Sequence, residues 1–488
     1  MLCKKMSRRY LLKLAGMGAA GAVLAGCAPK VVEKEVTRVV KELVKETVVV
    51  AGTPKTVEKE VTKIVKETVV VAQPAAEEPV TLRFMSRAGA ENIPAYEGCL
   101  KEDFESANPN IKVSVEPAPE GWTDKLLAQM VAGVAVDLFQ AWGNIFFNWT
   151  ERNLLLDCQP YVDRDMSQEE IDDYNDFQWE GLMMRGVRVG MPKYINVMTV
   201  TINKDMFDKY GVDYPPEDGD WDHDDYANMA RELTEAARSA GDDTVWGGWI
   251  PNWNWDRFWY RLDMFGGGVV NEKYGKTCIL GSEKSQEALK WMYDMEWTNN
   301  WFAQPAQVED KWFREAMNSK FVCMAESGTY PINTDRDFEG NVDNWDMRHV
   351  PVGPAGIRKV LGTTDAWSIT KQTKHPEESW KLLHFLAGPV FQTRCVIGSE
   401  GIIPVLKSLT SDFIDTVRSI RPSLEKVRLE TISEILDWGY AEDTFWFADQ
   451  LCAEEILVPA LEKVFMVGDV GPEYFIDIAD QINACQTE

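Results

Sequence analysis

The chain has 488 residues, 45% of them hydrophobic and 26% charged, with a net charge of −27. That balance repels nucleic acid and anionic headgroups, and no basic stripe interrupts the globular part, so nucleic-acid binding is excluded. An opening of about eighty residues has no globular pattern. The roughly 400 that follow suffice for two domains or lobes.

Residues 1–27 have the shape of an export signal: a basic start (Lys4, Lys5, Arg8, Arg9), an apolar run from Leu11 to Leu24, then small residues. The run is too short to span a bilayer comfortably. Ser7-Arg8-Arg9-Tyr10-Leu11-Leu12-Lys13 resembles the twin-arginine export motif, and Leu24-Ala25-Gly26-Cys27 resembles a bacterial lipobox. The second resemblance implies acylation of Cys27, cleavage before it and attachment to the membrane. Two acyl chains give stable anchoring where one is marginal.

Residues 28–79 read as a tether with an internal repeat. Glu33-Lys34-Glu35-Val36-Thr37 recurs as Glu58-Lys59-Glu60-Val61-Thr62, and Lys45-Glu46-Thr47-Val48-Val49-Val50-Ala51 as Lys66-Glu67-Thr68-Val69-Val70-Val71-Ala72. Alternating Lys and Glu with Val at spacings of three and four favours a helical stalk. The many β-branched residues argue instead for strand or disorder. In either form the segment is expected to act as a spacer.

Globular pattern begins at Val80. Val80 to Met85 alternates like a strand, Ala95 to Asn108 is an amphipathic helix, and Ile111 to Val115 is a second strand. Trp122 to Gly133 reads as a helix, and Val134 to Trp142 as a third strand that opens into Gly143-Asn144. This β-α-β-α-β order predicts an α/β fold with right-handed crossovers and mainly parallel sheets. Further on, helices are expected at 221–237, 285–298, 376–386 and 424–436.

Trp246 to Tyr260 holds five of the 19 Trp, interleaved with Gly247, Gly248, Pro251, Asn252 and Asn254. Rigid aromatic faces beside small polar residues suit a cleft that grips a sugar ring. Gly, Pro and Asn favour a loop there over a core segment. Trp246 and Trp259, at the edges, are the best candidates for core.

Motifs for catalysis are missing: there is no Gly-x-Ser-x-Gly, no His-Glu-x-x-His and no P-loop. The four His (His223, His349, His375, His384) are isolated from one another, and no zinc spacing links the cysteines. Asp218, Asp220, Asp222, Asp224 and Asp225 lack the Gly and Glu of a calcium loop and read as an acidic helix start. Neither metal nor cofactor is expected. Cys99, Cys158, Cys278, Cys323, Cys395, Cys452 and Cys485 are odd in number and mostly among apolar residues. They are read as buried thiols, with Cys452–Cys485 the one disulfide considered.

A run of segments resembles the family 1 extracellular solute-binding proteins of ABC importers, which are maltose-binding-protein-like. They are Asn108-Pro109-Asn110-Ile111-Lys112-Val113, Val136-Asp137-Leu138-Phe139, Leu154-Leu155-Leu156-Asp157, Gly190-Met191-Pro192-Lys193-Tyr194, Val200-Thr201-Ile202-Asn203-Lys204-Asp205-Met206-Phe207, Trp221-Asp222, Phe313 through Gly328, Thr364-Asp365-Ala366-Trp367-Ser368-Ile369 and Gly401-Ile402-Ile403-Pro404. Each is weak alone; together they cover residues 80–485 in the family's order. Met317-Asn318-Ser319-Lys320 lacks the family's usual Gly before Lys.

The resemblance implies a two-lobe periplasmic-binding-protein fold of type II, with ligand held between the lobes. The first lobe would take 80–191 and 347–405, the second 192–346 and 406–488. Together with the lipobox it implies a lipid-anchored, monomeric binding component, not an enzyme, that captures an oligosaccharide or related polyol and delivers it to a membrane permease. By analogy, cleft residues come from loops at strand ends: Ser86, Arg87, Trp142, Asn144, Tyr194, Asn196, Trp249, Trp253, Trp255, Glu326, Ser327, Tyr330, Asp365 and Trp367. Trp142 and Trp367, each ending an apolar strand next to Gly or Asp, are the leading candidates. Two other readings stay open: a surface-anchored polysaccharide-degrading enzyme using a carboxylate pair, and a ligand-sensing surface protein without a transporter.

Overall fold

The computed structural model describes residues 31–50, 53–72, 79–254, 257–308, 317, 320–329, 332, 344–363, 365–444 and 446–486. The signal segment with Cys27, and Trp255 and Tyr330 of the expected site, lie outside the described residues. The chain divides at Pro79 into two units.

In the first unit, Val31–Val50 and Thr53–Ala72 form an antiparallel pair running from Val31 opposite Ala72 to Val50 opposite Thr53. Nine of the twenty residues in the first strand are Val. A branched Cβ restricts χ1 against a helical turn and fits a pleated surface, so strand prevails over the helical stalk. The register sets Lys45 opposite Glu58 and Val39 opposite Ile64.

The second unit contains two sheets that position the site. The first has the order Ile111–Pro117, Val80–Ser86, Leu138–Ala141, Ala366–Ile369, Met191–Pro192. Its first three strands are parallel, as the β-α-β-α-β pattern requires. Ala366–Ile369 is antiparallel to both its neighbours. Alternation along these strands divides the apolar residues between two faces. Phe84, Leu138 and Trp367 enter one core with Tyr96, Phe104 and Trp380 of the covering helices. Met85, Phe139 and Ala366 enter another with Leu126, Met130 and Trp149. Each large side chain so buried contributes about 1.5–3 kcal/mol.

The second sheet is antiparallel throughout, which corrects the expectation of mainly parallel sheets. Met198–Asn203 lies between Met324–Gly328 and Trp345–Arg348. The chain enters this lobe along the central strand, and both neighbours run back toward the point of entry. The return to the first lobe comes later than residue 347. Met347, Val350, Val360 and Leu361 all belong to the large second core, and Trp345–Arg348 pairs within its sheet. Three segments cross between the lobes and bond one another: Ile195 N–H donates to Ile403 O, Thr363 N–H to Asn196 O and Lys193 N–H to Asp365 O, each at 2.9 Å.

The helix His223–Ser239 starts where the acidic cluster sits. The Asp222 carboxylate accepts from the Asp224 and Asp225 amides at 2.9 and 3.0 Å, closing a capping box with Asp225. Among the described residues two disulfides are present, Cys99–Cys395 and Cys452–Cys485, while Cys158, Cys278 and Cys323 are buried thiols. The first was not legible, because its partners are 296 residues apart. No described helix is long and apolar enough to cross a membrane.

Inside the second lobe, Arg261 and Glu326 form a fully buried ion pair. Tyr260 Oη donates to the same carboxylate at 2.8 Å. Arg261 Nη1 also lies 2.6 Å from Nε2 of His223, whose Nδ1 is 3.0 Å from Val352 O. Nδ1 therefore carries the proton, and Nε2 accepts from the guanidinium. Burial first, and then the Arg261 charge, hold the His223 pKa down at about 3. The unfolded chain thus binds a proton below pH about 6.5 that the folded protein refuses, so this group's contribution to stability is lost as pH falls from about 6.5 toward 3. The expected outcome is that the His223 ring carbon shifts, followed by NMR, stay in the neutral form down to pH about 4. A midpoint near 6.5 would contradict the assignment.

Candidate ligand-binding site

Strand ends of the first sheet open on the crossing segments, and polar side chains gather there. Arg87 follows the strand Val80–Ser86; its amide donates to Gln140 Oε1 at 3.1 Å and its Nη1 to Asp365 Oδ1 at 3.3 Å. The Arg87 guanidinium lies 4.1 Å from the centre of the Trp142 ring and 5.7 Å from that of Trp122. Lys193 Nζ donates to Glu400 Oε2 at 3.0 Å and to Gln140 Oε1 at 3.3 Å. Tyr96 donates to the other Glu400 oxygen. Burial raises the Asp365 pKa, against the Arg87 and Lys193 charges and hydrogen bonds from Tyr194 and Gln140 that lower it.

These groups border a cavity of about 260 Å³ whose lining includes Arg87, Glu91, Gln140, Lys193, Glu400 and Arg421. Tyr194 and Ile402 also line it, and both continue into a pocket of about 30 Å³ beside Asn196 and Thr329. Asn196 Oδ1 accepts from the Thr329 amide at 2.7 Å and its hydroxyl at 2.9 Å, which leaves buried Nδ2 without a partner. Asn144 Oδ1 is likewise buried and unpartnered. Asn196 borders the smaller pocket, and an unmet donor there is a group that a ligand hydroxyl can satisfy.

Of the residues expected from sequence, Arg87, Trp142, Tyr194, Asn196 and Asp365 come together here. Asn144 lies in the first turn of the helix Gly143–Glu151, whose N-cap is Trp142. Several others are corrected. Trp367 is fully buried against Phe391, with ring centres 5.6 Å apart, because it lies inside the strand Ala366–Ile369 on the helix-covered face, while Asp365 precedes that strand at the junction. Trp249 is 2% exposed and belongs to the second core. Glu326 is committed to Arg261 and Tyr260. Ser327 Oγ is turned inward, 3.2 Å from Thr201 Oγ1 and 3.0 Å from Gly328 O. Buried Ser86 accepts from the Ala88 amide at 3.1 Å and shapes the turn. Trp253 is partly buried against the second core.

The Trp-rich stretch is therefore largely structural over its described part. Trp246, Trp249 and Trp259 are all buried. Its start runs beside the segment leading into Met324–Gly328, with Cys323 N–H donating to Trp246 O, Met324 N–H to Gly247 O and Glu326 N–H to Trp249 O, all at 3.0 Å. Gly247 and Gly248 permit close packing: a Cβ on Gly247 would sit 2.0 Å from Ala230 O, and one on Gly248 2.5 Å from the Phe302 ring. Glycine here signals backbone approach, where the sequence suggested a loop.

Sequence reasoning missed Gln140, Lys193, Glu400 and Arg421. Gln140 lies in the third expected strand, Lys193 inside Gly190-Met191-Pro192-Lys193-Tyr194, and Glu400 immediately before Gly401-Ile402-Ile403-Pro404, so all three look like scaffold in the sequence. It also missed an aromatic contact between the lobes. Phe147, from the helix after Trp142, stacks on Trp446 at 4.7 Å and 7° and on Tyr274 at 6.1 Å. The Arg185 guanidinium lies 4.6 Å from the Tyr274 ring centre.

Residues 89–393 match the model of the bacterial extracellular solute-binding protein family. The chain belongs to that family. A binding protein of Brucella abortus (strain 2308) is 23% identical to this solute-binding protein over 313 residues, covering 63% of this chain and 72% of the relative. Solved structures share the fold. An ABC substrate-binding protein of Listeria monocytogenes in complex with cycloalternan superposes with a TM-score of 0.70 at 21% identity, covering 84% of this chain and all of that one. A cyclic alpha-maltosyl-1,6-maltose binding protein of Arthrobacter globiformis gives 0.66 at 16% identity, covering 84% and 99%. The solute-binding protein thus has the two-lobe architecture of these structures, and the polar cavity lies where its three crossing segments meet the first sheet.

One consequence separates structural from ligand-facing carboxylates. Glu326→Gln leaves Arg261 buried without its counter-charge and is expected to cost about 3–5 kcal/mol. The loss is read from urea denaturation midpoints.

Proposed function

We propose that the protein is the lipid-anchored substrate-binding component of an ABC importer, that its ligand is an oligosaccharide or related polyol, and that it is not an enzyme. The observation that carries the ligand class is the polar cavity at the lobe junction. Arg87, Gln140, Lys193, Tyr194, Asn196, Asp365 and Glu400 present donors and acceptors side by side. A sugar hydroxyl both donates and accepts, so it fits such mixed pairs better than an ion or an apolar ligand does. The Listeria protein in complex with cycloalternan and the cyclic alpha-maltosyl-1,6-maltose binding protein of Arthrobacter, which share the fold, support the same class.

In this reading, ligand bonds Arg87 and Asp365 from the first lobe and Asn196 and Arg421 from the other side. It favours the closed arrangement by contacting both lobes at once. Trp142, already covered by Arg87 on one face, forms the aromatic wall, and the closed form docks on a membrane permease. Export through the Ser7–Lys13 motif and acylation of Cys27 place the protein at the outer face of the cytoplasmic membrane, in a periplasm or at the cell surface.

Titration calorimetry with linear and cyclic maltooligosaccharides tests the ligand class, and binding should raise the melting temperature. Arg87→Ala is expected to weaken binding at least tenfold; because it also leaves buried Asp365 without its ion pair, thermal melts of the unligated variant establish that it is folded. No response to any saccharide or polyol would remove the proposal. Anchoring is checked separately: Cys27→Ser should abolish incorporation of labelled palmitate and release the protein from membranes.

A further inference from the structure

A second cavity, of about 320 Å³, shares no lining residue with the polar cavity at the strand ends. Its volume falls within the range of small-molecule sites. Phe177, Glu180 and Gly181 line it from the helix Asp176–Gly181, whose Trp179 packs in the first core. Trp259, Val269, Val270 and Thr444 line it from the second lobe. Carboxylates dominate the polar part: Glu180, Asp263, Glu272, Glu442 and Asp443 against Lys273 alone.

Three observations define what such a space takes. First, an ammonium is already held at its wall: Lys359 Nζ donates to Asp263 Oδ2 at 2.9 Å and lies 2.8 Å from Glu442 Oε2, 5.9 Å from the centre of the Trp259 ring. Carboxylate pairs and an aromatic face are the groups that recognise alkylammonium ions. Second, among the described residues no three His, Cys, Asp or Glu side chains converge closely enough to hold a metal ion. The carboxylates ring a volume instead of meeting at a point, which suits an extended organic cation. Third, Thr444 lines the cavity and is nine-tenths buried, and its hydroxyl oxygen has no hydrogen-bond partner among the described residues. Leaving such a group unmet is costly, and an ammonium N–H would satisfy it.

We infer that this cavity is a second binding site, distinct from the saccharide cavity, and that it takes a small aliphatic di- or polyamine. One ammonium group lies among Glu272, Glu442 and the Thr444 hydroxyl, and the methylene chain runs along Trp259 and Phe177. The inference does not depend on the identity of the sugar.

Calorimetric titration of the full chain with putrescine and spermidine is the test, with butanediol as the uncharged analogue of the same chain length. Saturable one-to-one binding of a polyamine is expected, with no heat from butanediol. Glu272→Gln combined with Glu442→Gln should weaken that binding at least tenfold, while Glu169→Gln combined with Glu232→Gln, an equal charge change at exposed positions elsewhere, should leave it intact. Thermal melts establish that both variants are folded. Absence of polyamine binding at millimolar concentration overturns the inference. So does undiminished binding in the first variant, or an equal loss in the second, which would mark attraction to the acidic surface at large.

Discussion

Everything in the two-lobe body depends on holding three separate chain crossings in one register, and a buried polar network does this. Lys193 lies on the first crossing, Asp365 on the second and Glu400 on the third. Gln140, at a strand end of the first lobe, accepts from Lys193 and from the Arg87 amide. Lys193 is paired with Glu400, and Arg87 with Asp365. Two cations and two anions balance, so the charges are tolerated out of water. A purely apolar junction could slide; one built of directional bonds fixes which residue opposes which.

That same network supplies the cavity lining, so the junction and the ligand site are made from one set of side chains. Loss of a junction residue therefore disturbs both lobe registration and the hydroxyl-bonding surface. The acidic cavity near Trp259 draws on different residues, and the Phe147–Trp446 stack joins the lobes at a third place. Carboxylates serve opposite purposes in this chain: Glu326 fixes a buried arginine, while Glu400 borders space that can be filled.

How much of this was readable follows from which interactions are local. Period-two alternation and strand–helix order are local, and they located the first three strands within a few residues. The capping of His223–Ser239 by Asp222 was readable for the same reason. The antiparallel second sheet was not, since it depends on how strands far apart in sequence return. The motif order pointed to the strand-end loops and so to Arg87, Trp142, Tyr194 and Asp365. It could not separate Trp367 from Asp365, two residues apart, because that choice rests on where the strand Ala366–Ile369 begins and how far the helices cover it. The Trp-rich stretch misled by composition: Gly247 and Gly248 look like loop residues but serve close packing against Ala230 and Phe302.

The hairpin of the first unit bears on reach. As a fully extended spacer, the forty-odd residues from Val31 to Ala72 would measure about 140 Å at roughly 3.3 Å each. Paired in antiparallel register, the segment ends opposite the residue at which it began, and partners across a ladder are only about 5 Å apart. The repeat thus adds bulk and backbone pairing without adding distance.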